Sequence, residues 1–183
     1  MPMFNRVLKM RLTIYLCVMS LGLSGCLGIP EGVRPVKDFD LQKYLGTWYE
    51  IARMDHSFER GLSNVTAEYS LREDGGVRVL NRGYDASKGK WKEAEGKAFF
   101  VDDSSVGQLK VSFFGPFYAS YNVIALDKEA YQWSLVVGPD TDYMWILSRT
   151  PHLDEAIVNE LIAQAKSHGF KTEELIFVNQ DNG

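Results

Sequence analysis

Chemistry in this sequence would have to start from its histidines, its acids or its thiols. His56 lies in "DHSFE", Asp55 to Glu59, where an imidazole between two carboxylates could begin a metal site. His152 and His168 lie far along the chain, and no second cluster completes a ligand set, so His56 reads as a loop residue and neither metal nor cofactor is expected. "GPD" and "RED" have no nucleophile elbow or paired base beside them. Glu50 follows Trp48 at strand spacing. A carboxyl facing inward there would have its pKa raised by desolvation, as a catalytic acid or as the partner of a structural cation.

The two cysteines fall at the N-terminus. Arg6, Lys9 and Arg11 precede an apolar run, "LTIYLCVMSLGL", of a dozen residues. A helix spanning a bilayer needs roughly 20. Cations, a short apolar core and then small residues describe an export signal. It ends in "LSGC", Leu23 to Cys26, which resembles the lipobox of bacterial lipoproteins. That resemblance implies cleavage before Cys26, a diacylglycerol on its thiol and a third acyl chain on its amine. At about 0.8 kcal/mol per buried CH₂, three chains hold a protein on a membrane permanently. Leu27, rather than Asp, follows the cysteine. The resemblance then implies the outer membrane, with the domain facing the periplasm.

The expected organisation is a signal peptide over 1–25, a lipidated tether over 26–39 with two prolines and two glycines, and a domain over 40–183. Cys17 leaves with the signal and Cys26 is acylated, so the mature body has no disulfide, no thiol nucleophile and no thiolate metal site. The formal charge of the whole chain is −4. The signal carries three cations and no acid, which leaves 17 cations against 24 acids and a net charge of −7. Such a body is a poor binder of nucleic acid, and anionic headgroups would not attract it without the anchor.

The elements that must position any site alternate with period two. Strands are expected near 47–55, 64–72, 76–84, 91–101, 108–114, 119–126, 131–137 and 142–148, separated by short Gly-, Asp- and Ser-rich turns. A longer loop, 53–64, joins the first two. "DLQKYLG", Asp40 to Gly46, predicts a short capped helical turn. After Pro151 the period changes: Ile157, Val158, Leu161, Ile162 and Ala165 share one face of a helix flanked by Asp154 and Gly169. "LIFV", Leu175 to Val178, predicts a short final strand. The fold class is therefore all-β, an eight-stranded antiparallel up-and-down barrel with one C-terminal helix and a short last strand. A two-sheet Greek-key sandwich is the alternative.

"GTW", Gly46 to Trp48, "TDY", Thr141 to Tyr143, and Arg149 resemble the three characteristic regions of the lipocalins. "YLGTWYEIAR", "KVSFFGPFY" and "YNVIALD", with the lipobox, are most similar to the bacterial lipoprotein members of that family. The resemblance implies that Trp48 closes one end of the barrel and that Arg149 packs on its indole. It also implies that Thr141, Asp142 and Tyr143 stabilise the turn at that same end. Alternation from Trp48 puts Glu50, Ala52 and Met54 inside the barrel. For the later strands the resemblance favours Tyr69, Val79, Asn81, Val111, Phe113, Asn122 and Trp145. Phe58 becomes a hydrophobic lip over the open end. A one-residue slip would reverse the faces of any strand.

An eight-stranded barrel has room for one small ligand. This apolar and aromatic lining suits an acyl chain, with its polar head at the mouth. The resemblance points to lysophospholipids or fatty acids, bound for storage or transport in the cell envelope. An envelope enzyme acting on a small hydrophobic substrate is the alternative, disfavoured by the missing thiol and histidine constellation. "FFGPFY", Phe113 to Tyr118, could serve a partner or a homodimer. Core and mouth packing is the preferred reading of it.

Overall fold

A computed structural model describes residues 27–181. The expected signal peptide and the expected acylation site, Cys26, lie outside the described residues. In chain order the elements are α1 (Leu41–Tyr44), β1 (Gly46–Arg53), β2 (Leu62–Leu71), β3 (Val77–Asp85), β4 (Lys90–Phe100), β5 (Gln108–Phe114), β6 (Phe117–Leu126), β7 (Trp133–Val137), β8 (Met144–Ser148), α2 (Glu155–Ser167) and β9 (Ile176–Phe177). Each of β1 to β7 pairs antiparallel with the next, and β1 also pairs with β8, so the sheet closes on itself. This is the barrel the alternation predicted. β9 lies outside the closed ring and pairs with the upper end of β1.

The two ends of the barrel differ. At one end, α1 folds under the strands. The Asp40 side chain accepts from the Gln42 and Lys43 amides, and Gly46, at φ 93°, takes the turn into β1. The turns 72–76, 101–107 and 127–132 lie at this closed end. The turns 54–61, 86–89, 115–116 and 138–143 form the open mouth.

Apolar side chains form two layers. Inside the barrel, Phe39, Tyr44, Trp48, Tyr69, Val79, Leu109 and Val136 pack together. Outside it, Leu161 and Ala165 of α2 cover Ala52, Leu135, Val137 and Ile146. The helix starts where the Asp154 carboxylate accepts from the Ala156 amide at 2.8 Å.

Strand β1 contains the irregularity that decides which side chains enter the lumen. Its pairing with β8 shifts between Glu50 and Ala52 (Glu50↔Leu147, then Ala52↔Ile146), so Ile51 is an extra residue in a β-bulge. Trp48 and Glu50 point inward, but after the bulge it is Arg53 that returns to the lumen. Ala52 and Met54 instead pack in the outer layer under α2, which corrects the simple alternation. Above the bulge β1 also leaves β2: the two pair only over Gly46–Tyr49 and Thr66–Tyr69. The C-terminal tail fills the gap. The Asn64 amide donates to Asn179 O at 2.8 Å, and Gln180 Nε2 donates to both Glu50 O (2.7 Å) and Val65 O (2.9 Å).

The segment expected as a tether is not free chain. Pro30, Val33 and Phe39 are buried, and the Val36 amide donates to Val123 O while Val36 O accepts from Gly107. Residues 27–39 form a strap along the barrel wall because these apolar side chains have a groove to fill.

Candidate functional site: the barrel lumen and its mouth

The floor of the lumen is Trp48, which is fully buried. Its indole Nε1 donates to Tyr44 O at 2.8 Å. The Arg149 guanidinium carbon stands 3.9 Å from the indole centroid. Arg149 also donates to three carbonyls, those of Lys43 (2.7 Å), Thr47 (2.9 Å) and Tyr131 (3.2 Å). One side chain thus fastens α1, the start of β1 and the β6–β7 turn. The turn at this end is Asp127–Gln132, where the Asp127 carboxylate accepts from the amides of Glu129, Ala130 and Gln132. Thr141, Asp142 and Tyr143 belong to the 138–143 turn at the opposite end. They cannot brace the floor, and the sequence resemblance between "TDY" and a floor turn misplaces them. β8 pairs with β1 as Arg53↔Trp145, which puts the residues before Met144 level with the top of β1.

Just above the floor, three phenols form a chain. Tyr44 and Tyr69 each share a hydrogen bond with the Tyr121 hydroxyl at 2.8 Å, and Tyr44 also meets Ser134 Oγ at 3.1 Å. Burial pushes the Tyr44 pKa up to about 12 and raises Tyr69 and Tyr121 well above the usual tyrosine value. A small apolar cavity, ≈ 20 Å³, remains among Phe39, Leu41, Tyr69, Val79 and Tyr121. It can hold something the size of a water, not an acyl chain.

Higher up, Val79, Asn81, Val111, Phe113 and Trp145 all face the lumen, as the pairings Tyr69↔Val79 and Ala67↔Asn81 and the packing of Val111, Phe113 and Trp145 against the inner core require. Phe113 lies over Gly96, where a β-carbon would come within 2.8 Å of its ring. Asn122 does not belong to this set. It lies next to Tyr121 on β6, and Tyr121 points in, so Asn122 points out; its Nδ2 donates to Gly28 O, Val137 O and Gly138 O.

Beneath the mouth is a buried polar group. Arg53 Nη1 donates to Glu50 Oε1 at 2.7 Å, and Nη2 donates to Glu59 O at 2.7 Å. The Glu59 carboxylate lies 2.8 Å from His56 Nε2 and accepts from Trp145 Nε1 at 3.1 Å. Burial and the neighbouring Glu59 raise the Glu50 pKa well above its ordinary value against the pull of Arg53. Burial also opposes ionisation of Glu59, but the hydrogen bonds from His56 and Trp145 and the charge on Arg53 outweigh it and lower its pKa. Arg53 Nε, His56 Nδ1 and Asn81 Oδ1 are buried without a hydrogen-bond partner within the protein. Among the described residues, no three or more His, Cys, Asp or Glu side chains come together so as to hold a metal ion. Sequence reasoning identified Glu50 but missed Arg53, His56 and Glu59 as lumen residues. The i,i+3 spacing of His56 and Glu59 was the available signal, masked by its place in a loop. Phe58 sits at the rim, its ring nearly parallel to Tyr143 (centroids 6.5 Å apart, 10°) and against His56.

Residues 39–180 match the lipocalin-like domain family. The outer membrane lipoprotein Blc of Vibrio cholerae is 60% identical over 167 residues, covering 91% of this chain and 98% of that protein. The protein of the same name from Escherichia coli K12 is 56% identical over 151 residues, covering 82% and 85%. Among solved structures, insecticyanin from the tobacco hornworm Manduca sexta has the same fold, with a TM-score of 0.68 over 85% of this chain and 88% of that one at 24% identity. Eight strands closed around a Trp48–Arg149 floor, with these sequence relationships, assign the chain to the lipocalins, and it belongs to that family.

Proposed function

We propose that this protein is a lipid-binding lipocalin, anchored through acylated Cys26 in the outer membrane with its barrel in the periplasm, that stores or transports a lysophospholipid or a fatty acid. The names of its relatives from Vibrio cholerae and Escherichia coli support the location. One feature of the lumen carries the ligand reading. An apolar wall of Val79, Val111 and Phe113 is topped by the buried polar group at Arg53, where Arg53 Nε and His56 Nδ1 lack partners. A buried polar atom without a hydrogen bond costs about 1–3 kcal/mol. The carboxylate of a fatty acid or the phosphate of a lysophospholipid at that level would accept from Arg53 Nε, and its chain would run against the wall below as the side chains around the ≈ 20 Å³ cavity part to admit it. The Arg53 guanidinium supplies the matching positive charge. The same features fit binding better than catalysis, since Arg53 and Trp145 hold both carboxylates of the cluster in fixed contacts.

Native mass spectrometry of the protein, with titration of Trp145 fluorescence by a lysophospholipid, tests this. The expected result is saturable quenching with one lipid per barrel and, read by native mass spectrometry, at least tenfold weaker lipid binding in Trp145→Ala with little loss of fold. A barrel that binds no acyl-chain lipid at micromolar concentration overturns it.

A further inference from the structure

His56 is held by its own turn in the dry polar group beneath the mouth. Its carbonyl accepts from the Glu59 amide at 3.4 Å and from the Arg60 amide at 3.1 Å, which closes residues 56–60 into a tight turn. Arg53 Nη2 fastens the same turn to β1 through Glu59 O. The imidazole packs against Phe58 (centroids 4.4 Å apart), Trp145 (5.3 Å) and Tyr143 (6.2 Å). These rings exclude water, and the His56 side chain is 4% exposed. Nε2 stands 2.8 Å from Glu59 Oε2, while Nδ1 is buried with no partner within the protein. A buried ring nitrogen left without a hydrogen bond is costly and calls for a reason.

The charges that face this ring are few. Arg53 and Glu50 come from β1 and Glu59 from the turn itself. β8 and the 138–143 turn contribute Trp145 and Tyr143, which bring rings, and Trp145 Nε1 donates to Glu59 Oε2. Asp55 and Arg60 pair with each other at the exposed rim, 2.6 Å apart. Burial opposes ionisation of Glu59, but its contacts with His56 and Trp145 and the charge of Arg53 prevail and lower its pKa. Burial, and then Glu59, push Glu50 up towards its protonated form. The charges of Arg53 and Glu59 then balance beside a neutral imidazole. An anionic lipid head at Arg53 Nε upsets that balance and leaves one negative charge too many in a site where charge is poorly screened. A neutral imidazole cannot correct this. With one ring proton it turns a lone pair either to Glu59 or to the head. With two it donates on both sides and restores neutrality.

We infer that His56 is the second contact of the lipid's anionic head, held as an imidazolium that faces Glu59 with Nε2 and donates to the head from Nδ1, so that each lipid binds together with one proton. The inference rests on the lipid-binding reading of the lumen. The proton comes from solvent and returns there when the lipid leaves. The complex holds one proton more than the empty barrel, so affinity falls as pH rises, by up to about tenfold per pH unit. Affinity gains on acidification until the empty barrel is itself protonated at His56. Acidification loads the barrel, and a return to neutral pH unloads it.

Lauroyl lysophosphatidylcholine is the probe, because its phosphodiester stays ionised throughout and any proton taken up must go to the protein. Calorimetric titration at about pH 8, the upper end of the range in which histidine changes charge, in two buffers of different ionisation heat, counts the protons. The expected result is uptake approaching one proton per lipid and an affinity about tenfold lower at about pH 8 than at about pH 6. His56→Gln, which keeps a donor for Glu59, should lose both. A second measurement needs no variant. In protein labelled with ¹⁵N at histidine, the His56 ring should show both nitrogens protonated in the complex, with His152 and His168, outside the barrel, as references. A neutral His56 ring in the complex overturns the inference. Proton uptake that survives in His56→Gln also overturns it, since it places the proton on Glu50. Absence of lysophospholipid binding at every pH removes the lipid-binding reading itself, whereas binding without proton uptake removes only the role of His56.

Discussion

Arg149 and Trp48 are 101 residues apart in sequence and stacked in space, the guanidinium carbon 3.9 Å from the indole centroid. The contact joins a cation–π interaction, about 0.5–2 kcal/mol, to hydrogen bonds from one planar fork to the carbonyls of Lys43 and Thr47 and from Nε to Tyr131. Lysine can keep the charge but not the fork. Arg149→Lys is expected to cost about 1–2 kcal/mol and Arg149→Met about 3 kcal/mol, measured by urea unfolding. Lipid affinity should change little, because neither group borders the upper lumen. Equal stability of the lysine variant and the wild type would show that the fork is not needed.

Arg53 and Glu50 face each other across the Ile51 bulge in a dry setting, with side-chain exposures of 1% and 4%. Removing one member strands the other, which typically costs 3–5 kcal/mol, whereas replacing both with apolar groups is often close to neutral. Arg53→Met should destabilise the barrel by about 3 kcal/mol, and adding Glu50→Leu should recover at least half of that. Both variants should lose lipid affinity if the Arg53 guanidinium holds the head group. Chemical denaturation of the two single variants and the double variant, combined with lipid titration, separates the two effects.

The same pair shows how far the sequence could be read. Strand positions, the floor tryptophan, its arginine and the helix over the outer wall follow from periodicity and from the spacing of a few distinctive residues. The bulge does not. "IARM" has no polar alternation to reveal that one residue is extra, so simple alternation from Trp48 puts Ala52 and Met54 inside. Asn122 was misplaced by one residue on β6, where Ser120, Tyr121 and Asn122 give no contrast of polarity strong enough to fix a face. Thr141–Tyr143 resembles a floor motif in sequence, but the floor turn is Asp127–Gln132. Only the strand pairing distinguishes the two hairpin ends. Residues 27–39 look like a tether in sequence because prolines and glycines mask the spacing of Val33, Val36 and Phe39.

The three phenols near the floor predict alkaline behaviour. An unfolded tyrosine ionises near pH 10, whereas Tyr44 in the fold does so at about 12 and Tyr69 and Tyr121 are also held high. The fold favours the neutral form, so this contribution to stability is complete below about pH 10 and is lost as pH rises through the folded values. Tyrosinate absorbance should therefore show three of the tyrosines ionising late, together with the loss of near-ultraviolet circular dichroism. Ionisation of all tyrosines near pH 10 with the fold intact would contradict the hydrogen-bonded chain.

Gln180 closes the barrel where β1 and β2 part. Its one amide nitrogen donates to Glu50 O and Val65 O, and no ladder bonds join the two strands at that level. Gln180→Ala would leave two partly buried carbonyls to water at about 1 kcal/mol each, a loss of about 2 kcal/mol confined to the seam. Gln180→Glu places an acceptor against two acceptors and should be worse. Hydrogen exchange is the decisive measurement, because the defect is local. Amides of Ile51, Arg53 and Val65 should exchange faster in Gln180→Ala while those of β5 and β6 keep their protection. The seam runs from the bulge to the mouth, so faster lipid exchange should accompany faster amide exchange. Uniform loss of protection across the sheet would mean that Gln180 contributes to global stability and does not guard this seam.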